Sequence, residues 1–426
     1  MTPDDHIIHF GYRHGWGDDV LFGMKTADRR SHVLTIGKTG SGKTTLLRNL
    51  VIQHIEAGHG VALLDPHGDL ADELLDYIPA SRTDDLIYFD PASLDFPIGL
   101  NPLANVAPDD RHLIASGIVS AFKSIWRDSW GPRLEYILYN CIASLLDCQN
   151  VTLLGVNRLL TDERYRHWVL RQVHDPFVRL FWTEEFANYD ERFLRDAISP
   201  IQNKIGQFIT SGPIRNILGQ VRSKLNFREI IDKRRIFIAN LSKGRLGADK
   251  ANLVGSLLTT QFQFAAMSRA DIPEQKREDY FLLIDEFHNF TTDAFASILA
   301  EARKYRLNLV LSHQYIAQLA EPIRDAIFGN VGTLICFRVG ESDSSVLERE
   351  FGNTFVSRQF VDLSKFETIV KLLTDGVCGE PFKGRTLPPL LPSFGNRDNL
   401  LRVVRRRYSS PRATVEAKIA RWLQHD

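Results

Sequence analysis

The chain is poor in cysteine: Cys141, Cys148, Cys336 and Cys378 are the only four in 426 residues, and no Cys-x-x-Cys spacing occurs. A disulfide-stapled secreted fold is excluded, and reduced thiols in a cytoplasmic protein are expected. Net charge is lacking too, with 52 Lys and Arg against 52 Asp and Glu. A protein that coats nucleic acid would carry a basic surplus, whereas a polyanion partner is still allowed if the cations gather on one surface, such as a channel. No apolar run approaches the ~18 residues of a membrane span. Met1-Thr2-Pro3-Asp4-Asp5-His6 has neither the basic start nor the apolar core of a signal peptide. These absences lead to the expectation of a soluble, cytoplasmic chain without direct membrane insertion. Repeats and low-complexity tracts are missing as well. What remains is ordinary globular composition, 44% hydrophobic and 24% charged, with length for two or three domains.

The most informative stretch is Gly37-Lys38-Thr39-Gly40-Ser41-Gly42-Lys43-Thr44, set between the apolar run Val33-Leu34-Thr35-Ile36 and a helix-forming segment that opens with Thr45. The spacing G-x-x-x-x-G-K-[ST] carries weight only in that strand-to-helix context. Its glycines remove Cβ atoms where backbone must wrap a phosphate chain, so that successive N–H groups converge on phosphate oxygens. The following helix adds its unpaired N-terminal donors and dipole. Lys43 is expected to reach the β and γ phosphates, and the Thr44 hydroxyl to ligate Mg²⁺. A chance glycine-rich turn would lack both flanks.

Further apolar runs, each closed by turn residues, follow: Val61 to Leu64 before Asp65-Pro66-His67-Gly68-Asp69, and Leu86 to Phe89 before Asp90-Pro91. Alternating with helical stretches, they predict an α/β fold with a mostly parallel sheet. From about Pro108 to Phe227 the texture becomes helical, with Leu134, Ile137, Leu138, Cys141, Ile142, Leu145 and Leu146 on one face. Asp162 and Glu163 suit a helix start, and the segment Glu191 to Ile209 is interrupted by Pro200. The expected organisation is an N-terminal extension over 1–30, an ATPase core over 31–107 and 228–395, an all-helical insertion domain over 108–227, and a basic C-terminal segment and helix over 396–426.

Strand texture resumes at Ile236 to Asn240, and Phe281-Leu282-Leu283-Ile284 runs straight into Asp285-Glu286. This puts Asp285 at the carboxyl end of a buried strand, where open α/β sheets bind ligands. There it would hold Mg²⁺ opposite Thr44, and Glu286 would orient or deprotonate an attacking water. The pair favours hydrolysis over transfer to a substrate alcohol. Gln314, after the strand Asn308 to Leu311, could touch both γ-phosphate and water; a strand-end amide bonded to backbone is the plainer alternative. Arg303 closes a helix, where cations need no special purpose. It is also the first candidate for an arginine delivered across a subunit boundary to neutralise transition-state charge, with Arg30 the second.

Together Gly37 to Thr44, Asp65 to Asp69, Asp285-Glu286 and Gln314 resemble the HerA/FtsK superfamily of DNA-pumping ATPases. Gly99 to Leu103, Trp130 to Arg133, Asn240 to Gly247 and Ser312 to Tyr315 make the pattern most similar to conjugative coupling proteins of the TraG/TraD kind. The resemblance implies a RecA-like P-loop NTPase core with the helical insertion, ATP and Mg²⁺ at subunit boundaries, and a homo-oligomer, a hexamer, with DNA threaded through its centre. By motif position it gives Lys43 and Thr44 the phosphate-loop roles, Asp285 and Glu286 the metal and water roles, Gln314 the sensor role and Arg303 the trans-acting role. A nuclease, or a relaxase of a secretion system, is the implied protein partner. The transmembrane helices of anchored coupling proteins have no counterpart here, which brings mobile-element transfer, DNA processing and phage defence forward. An ATP-gated platform that recruits an effector, and a protein-directed secretion ATPase, are the rival readings. Lys243 and Arg245, in a glycine-bearing loop, are candidate DNA or interface contacts, with a plain surface loop as the alternative. The run Arg402 to Arg407 is a further candidate DNA contact, and Val403 and Val404 allow that run to be an exposed strand instead.

Overall fold

The computed structural model describes residues 3–14, 18–293, 295–391 and 394–424. Gly15, Gly17 and Pro392 lie outside them. Two compact units are present: Met1–Phe89 with Phe227–Ser242 and Ala265–Val403, and Asp90–Asn226 with Lys243–Phe264 and Val404–Asp426.

The first unit is built on one sheet. The N-terminal extension contributes an antiparallel pair, β1 (Ile7–His14) and β2 (Asp19–Lys25), followed by the short helix Thr26–Arg29. The apolar runs become β3 (Val33–Ile36), β4 (Gly60–Asp65), β5 (Leu86–Phe89), β6 (Ile236–Asn240), β7 (Tyr280–Ile284), β8 (Leu307–His313) and β9 (Thr333–Cys336). Every residue of β3 to β9 is buried, which is why they read as continuous apolar runs rather than alternating ones. They are followed by β10 (Glu367–Lys371), the small hairpin of β11 (Leu373–Thr374) and β12 (Val377–Cys378), and β13 (Phe382–Thr386). The strands of the main sheet stand in the order β2-β1-β13-β10-β9-β3-β8-β7-β4-β6-β5. From β9 to β5 all pairings are parallel, while β2, β1, β13 and β10 form an antiparallel flank.

This order brings the motif-bearing strands together. β3 pairs with β8, and β8 with β7. In register, Ile36 lies opposite His313 and Ile284 opposite Leu311. Gly37, Asp285 and Gln314 therefore all follow carboxyl ends at one edge of the sheet.

In the second unit the regular elements among the described residues are helices. The expected apolar face is buried along Pro132–Leu146, with Ile137, Cys141, Ile142 and Leu145 fully enclosed. The Asp162 side chain caps Glu163–Leu170 by accepting from the Tyr165 N–H at 3.0 Å. Pro200 does not interrupt its segment: Glu191–Thr210 is one helix containing it. Burial of Ala197, Ile198, Ile201, Ile205 and Phe208 along one face offsets the backbone bond that proline cannot donate.

Residues 402–407 are not a strand. They lie in the helix Arg397–Tyr408, where Leu400 and Val404, four apart, are buried and the arginines at 402, 405, 406 and 407 are exposed. A single turn of helix explains the valine as well as a strand would, and the leucine four residues earlier decides between them. Arg405 lies over the Phe96 ring at 5.4 Å.

Candidate active site

The loop after β3 is held by its neighbours' backbone. Gly37 N–H donates to the His313 carbonyl at 3.1 Å, Lys38 N–H to Arg338 at 2.8 Å, and Phe366 N–H to Ser41 at 2.8 Å. Gly42 has φ +126°, and a Cβ there would meet Phe366 Cδ1 at 2.8 Å and Phe337 Cε1 at 3.0 Å. Only glycine fits this position, for reasons of both backbone and space. The helix Lys43–Glu56 begins immediately afterwards.

A cavity of about 360 Å³ opens over this loop, lined by Thr39, Gly40, Gly42, Lys43, Thr44, Thr45, His67, Asp285, Glu286, Gln314, Lys365 and Phe366. It brings together Lys43, Thr44, Asp285, Glu286 and Gln314, which the sequence singled out from three separate segments. Gly37, Lys38 and Ser41 belong to the loop but do not line the cavity. Lys43 is 6% exposed; its Nζ donates to the Gly37 carbonyl and, at 3.3 Å, to that of Lys38, and lies 4.0 Å from Glu286 Oε1. Burial lowers its pKa, against the pull of Glu286 and Asp285.

Glu286 is 4% exposed and takes the left-handed conformation at φ 44°, ψ 51°. That turn lets the chain leave β7 and carry the carboxylate back over the cavity. Gln314 Nε2 donates to its Oε1 at 2.7 Å. Burial pushes the Glu286 carboxyl above its ordinary pKa, the neighbouring Asp285 adds to the rise, and the Gln314 bond and Lys43 oppose it. Asp285 Oδ1 accepts from the Glu286 N–H at 3.0 Å. With Thr44 beside it in the lining, this oxygen-only pair suits a hard divalent cation such as Mg²⁺.

His67 comes from the turn after β4. Asp65 shapes that turn, accepting from the N–H groups of His67 and Ala71, each at 2.9 Å. Lys365 and Phe366 had no sequence signal; they enter on the loop before β10. Lys365 Nζ lies over the Phe366 ring at 5.0 Å, and Phe366 packs on the Gly42 backbone.

Arg303 does not line the cavity. It is exposed, in the short turn Ala302–Tyr305. Arg30 is engaged within its own chain, donating to Asp279 at 2.7 to 3.2 Å and to Asp4. Arg245, in the short helix Lys243–Leu246 rather than a loop, pairs with Asp90 at 3.1 Å.

The parallel sheet, the loop between strand and helix, and the acidic pair two strands away define a RecA-like P-loop NTPase fold. Among solved structures, the plasmid coupling protein TrwB in complex with ADP and Mg²⁺ matches with TM-score 0.64 and 15% identity, covering 93% of this chain and 98% of that one. VirB4 of Thermoanaerobacter pseudethanolicus matches with TM-score 0.52 and 14% identity, over 89% and 96%.

Residues 26–262 match the family described as Helicase HerA, central domain, and the chain belongs to that family. Asp285, Glu286 and Gln314 lie beyond the matched stretch. The type 4 coupling protein DotL of Legionella pneumophila is 20% identical over 398 residues, 78% of this chain and 50% of that protein. The chain thus spans about half the length of this curated relative. No helix among the described residues is long and apolar enough to cross a membrane.

Proposed function

We propose that the chain is the ATP-hydrolysing subunit of a ring-shaped DNA translocase of the coupling-protein kind. The observation that carries this reading is the convergence of Lys43, Thr44, Asp285, Glu286 and Gln314 on one cavity at the carboxyl edge of the sheet. The loop from Gly37 to Thr45 cradles the ATP phosphates with its N–H groups. Lys43 turns from the Gly37 carbonyl to the β and γ phosphates. Thr44 and Asp285 hold Mg²⁺, which supplies neutralising charge at the phosphate oxygens when bound. Glu286 takes a proton from water as the water oxygen attacks the γ-phosphorus and the bond to ADP breaks. Gln314, bonded to that same carboxylate, orients the water and registers whether the γ-phosphate is present. Arg303, on the surface, serves the cavity of a neighbouring subunit. Phosphate contacts that carry no sequence information move the DNA.

The test is ATP turnover with and without single- and double-stranded DNA, read beside native mass and displacement of a third strand from a triplex. DNA-stimulated turnover, a multimeric mass and displacement are expected. Turnover indifferent to DNA would shift the reading to a protein-directed secretion ATPase. Slow turnover with no displacement would make the chain an assembly platform.

A further inference from the structure

The two oxygens of Glu286 face different surroundings. Oε1 looks into the cavity, toward Gln314 and Lys43. Oε2 is buried, has no hydrogen-bond partner, and looks away from the cavity toward two histidines. His288 comes from the turn Phe287–Asn289 just after Glu286, and His313 is the last residue of β8. His288 Nδ1 lies 3.6 Å from Glu286 Oε2 and 3.1 Å from His313 Nδ1. One ligand atom from each of the three residues falls within 4.8 Å of the others.

We propose that Glu286, His288 and His313 form a site for one transition-metal ion of the zinc class, and that its binding withholds Glu286 from ATP hydrolysis. For a tetrahedral ion with bonds of about 2.0–2.1 Å, ligand atoms stand about 3.3 Å apart. The His288 pairs, at 3.1 and 3.6 Å, bracket that spacing, and the Glu286–His313 pair, within 4.8 Å, closes to it by side-chain rotation. Two imidazole nitrogens and one carboxylate oxygen are the donor set of Zn²⁺ or Co²⁺, whereas Mg²⁺ prefers oxygen alone. A hydrogen bond between the two rings accounts for their own separation but leaves Oε2 unmatched. Leaving a buried carboxylate oxygen so costs stability, and a cation bridging it to both rings removes that cost. The His288 side chain is 25% exposed, which gives the ion a route in and a side open to water for the fourth position.

The site stands on ligand geometry. Its effect on turnover rests on the reading of Glu286 as the base, and the experiment separates the two. The full chain carrying Cys378→Ser, which removes the exposed thiol, is titrated with Co²⁺, and the visible bands of tetrahedral Co²⁺ are followed. One Co²⁺ per chain is expected, displaced by Zn²⁺ but not by millimolar Mg²⁺. His288→Ala should weaken binding at least tenfold, and adding His313→Asn should abolish it. Zn²⁺ should slow ATP turnover at least tenfold with His288 present, and by much less in His288→Ala. Absence of the Co²⁺ bands, or equal affinity in His288→Ala, overturns the site. Stoichiometric binding with turnover unaffected by Zn²⁺ overturns the withholding of Glu286. A chain without ATPase activity in Mg²⁺ alone refutes the proposed function, while the Co²⁺ titration still decides the site.

Discussion

Glu286 is the residue on which the chemistry turns. Glu286→Gln keeps the shape and the contact with Gln314 but cannot take a proton. Its expected outcome is retained ATP binding with turnover lowered at least 10²-fold, measured by nucleotide trapping beside steady-state release. Normal turnover in this variant would end the assignment. Because burial raises the Glu286 pKa, the base protonates before an ordinary glutamate would. The acid limb of log kcat should therefore be centred above 4.5, the usual value for this side chain. Residues of this kind were legible in the sequence because their roles need fixed spacings: a lysine after G-x-G, or an acid pair ending an apolar run. His67, Lys365 and Phe366 line the same cavity without being legible as site residues. Lys365 and Phe366 arrive on a loop whose sequence carries no period and no spacing rule. His67 arrives on the Asp65 to Asp69 turn, whose phrase carries a resemblance but assigns the histidine no place at the site; only the sheet order brings those loops over the cavity.

At the scale of elements, local pattern predicted strands wherever burial on both faces made the run apolar throughout, as in β7. It failed where packing overrides propensity. Pro200 sits inside a helix whose buried face holds it, and the valines at 403 and 404 belong to a helix anchored by Leu400 and Val404. Arg269, just past the long helix Ala248–Met267, is a further case. It is fully buried, with Nη1 on the Tyr305 carbonyl and Nη2 on that of Glu278, each at 2.8 Å, and Nε 3.0 Å from Asp232. One side chain thus ties four segments, which no local pattern could reveal. Arg269→Ala would leave two carbonyls without their donor, while Asp232 keeps Arg228 at 2.6 Å, and the expected loss of unfolding free energy in urea is about 2–4 kcal/mol. A loss below about 1 kcal/mol would show that the tie contributes little.

At the scale of the whole molecule, buried histidines set the response to acid. Burial lowers the His32 pKa to about 4, that of His59 to about 3 and that of His54 well below its ordinary value; Arg29 adds repulsion at His54 and His59. The unfolded chain takes these protons near pH 6.5, the native chain only at the lowered values. Stability is therefore lost as pH falls through 6.5, by about 1.4 kcal/mol per pH unit for each such histidine. Glu286 and Asp65, whose pKa burial raises, act in the opposite sense because the native form takes their proton first. A lower Tm at about pH 5.5 than at about pH 7.5 is expected by calorimetry, and an unchanged Tm would contradict it. Arg303→Ala is expected to bind nucleotide without hydrolysing it. Mixing with Lys43→Ala subunits should restore turnover, since each variant then supplies what the other lacks; failure of that rescue would place the arginine's partner elsewhere.

The separation of the motifs along the chain also has a consequence for synthesis. Lys43 and Glu286 share one cavity, yet roughly 240 residues lie between them, including most of the helical unit. At ribosomal speeds of about 5–20 residues per second, the phosphate loop waits about 12–50 s for its acidic counterpart to emerge. Through that interval β3 has neither of its partners, β8 and β9, and its apolar faces are uncovered. The nascent chain is therefore most exposed to misassociation before β8 leaves the ribosome, and chaperone dependence should be concentrated in that window.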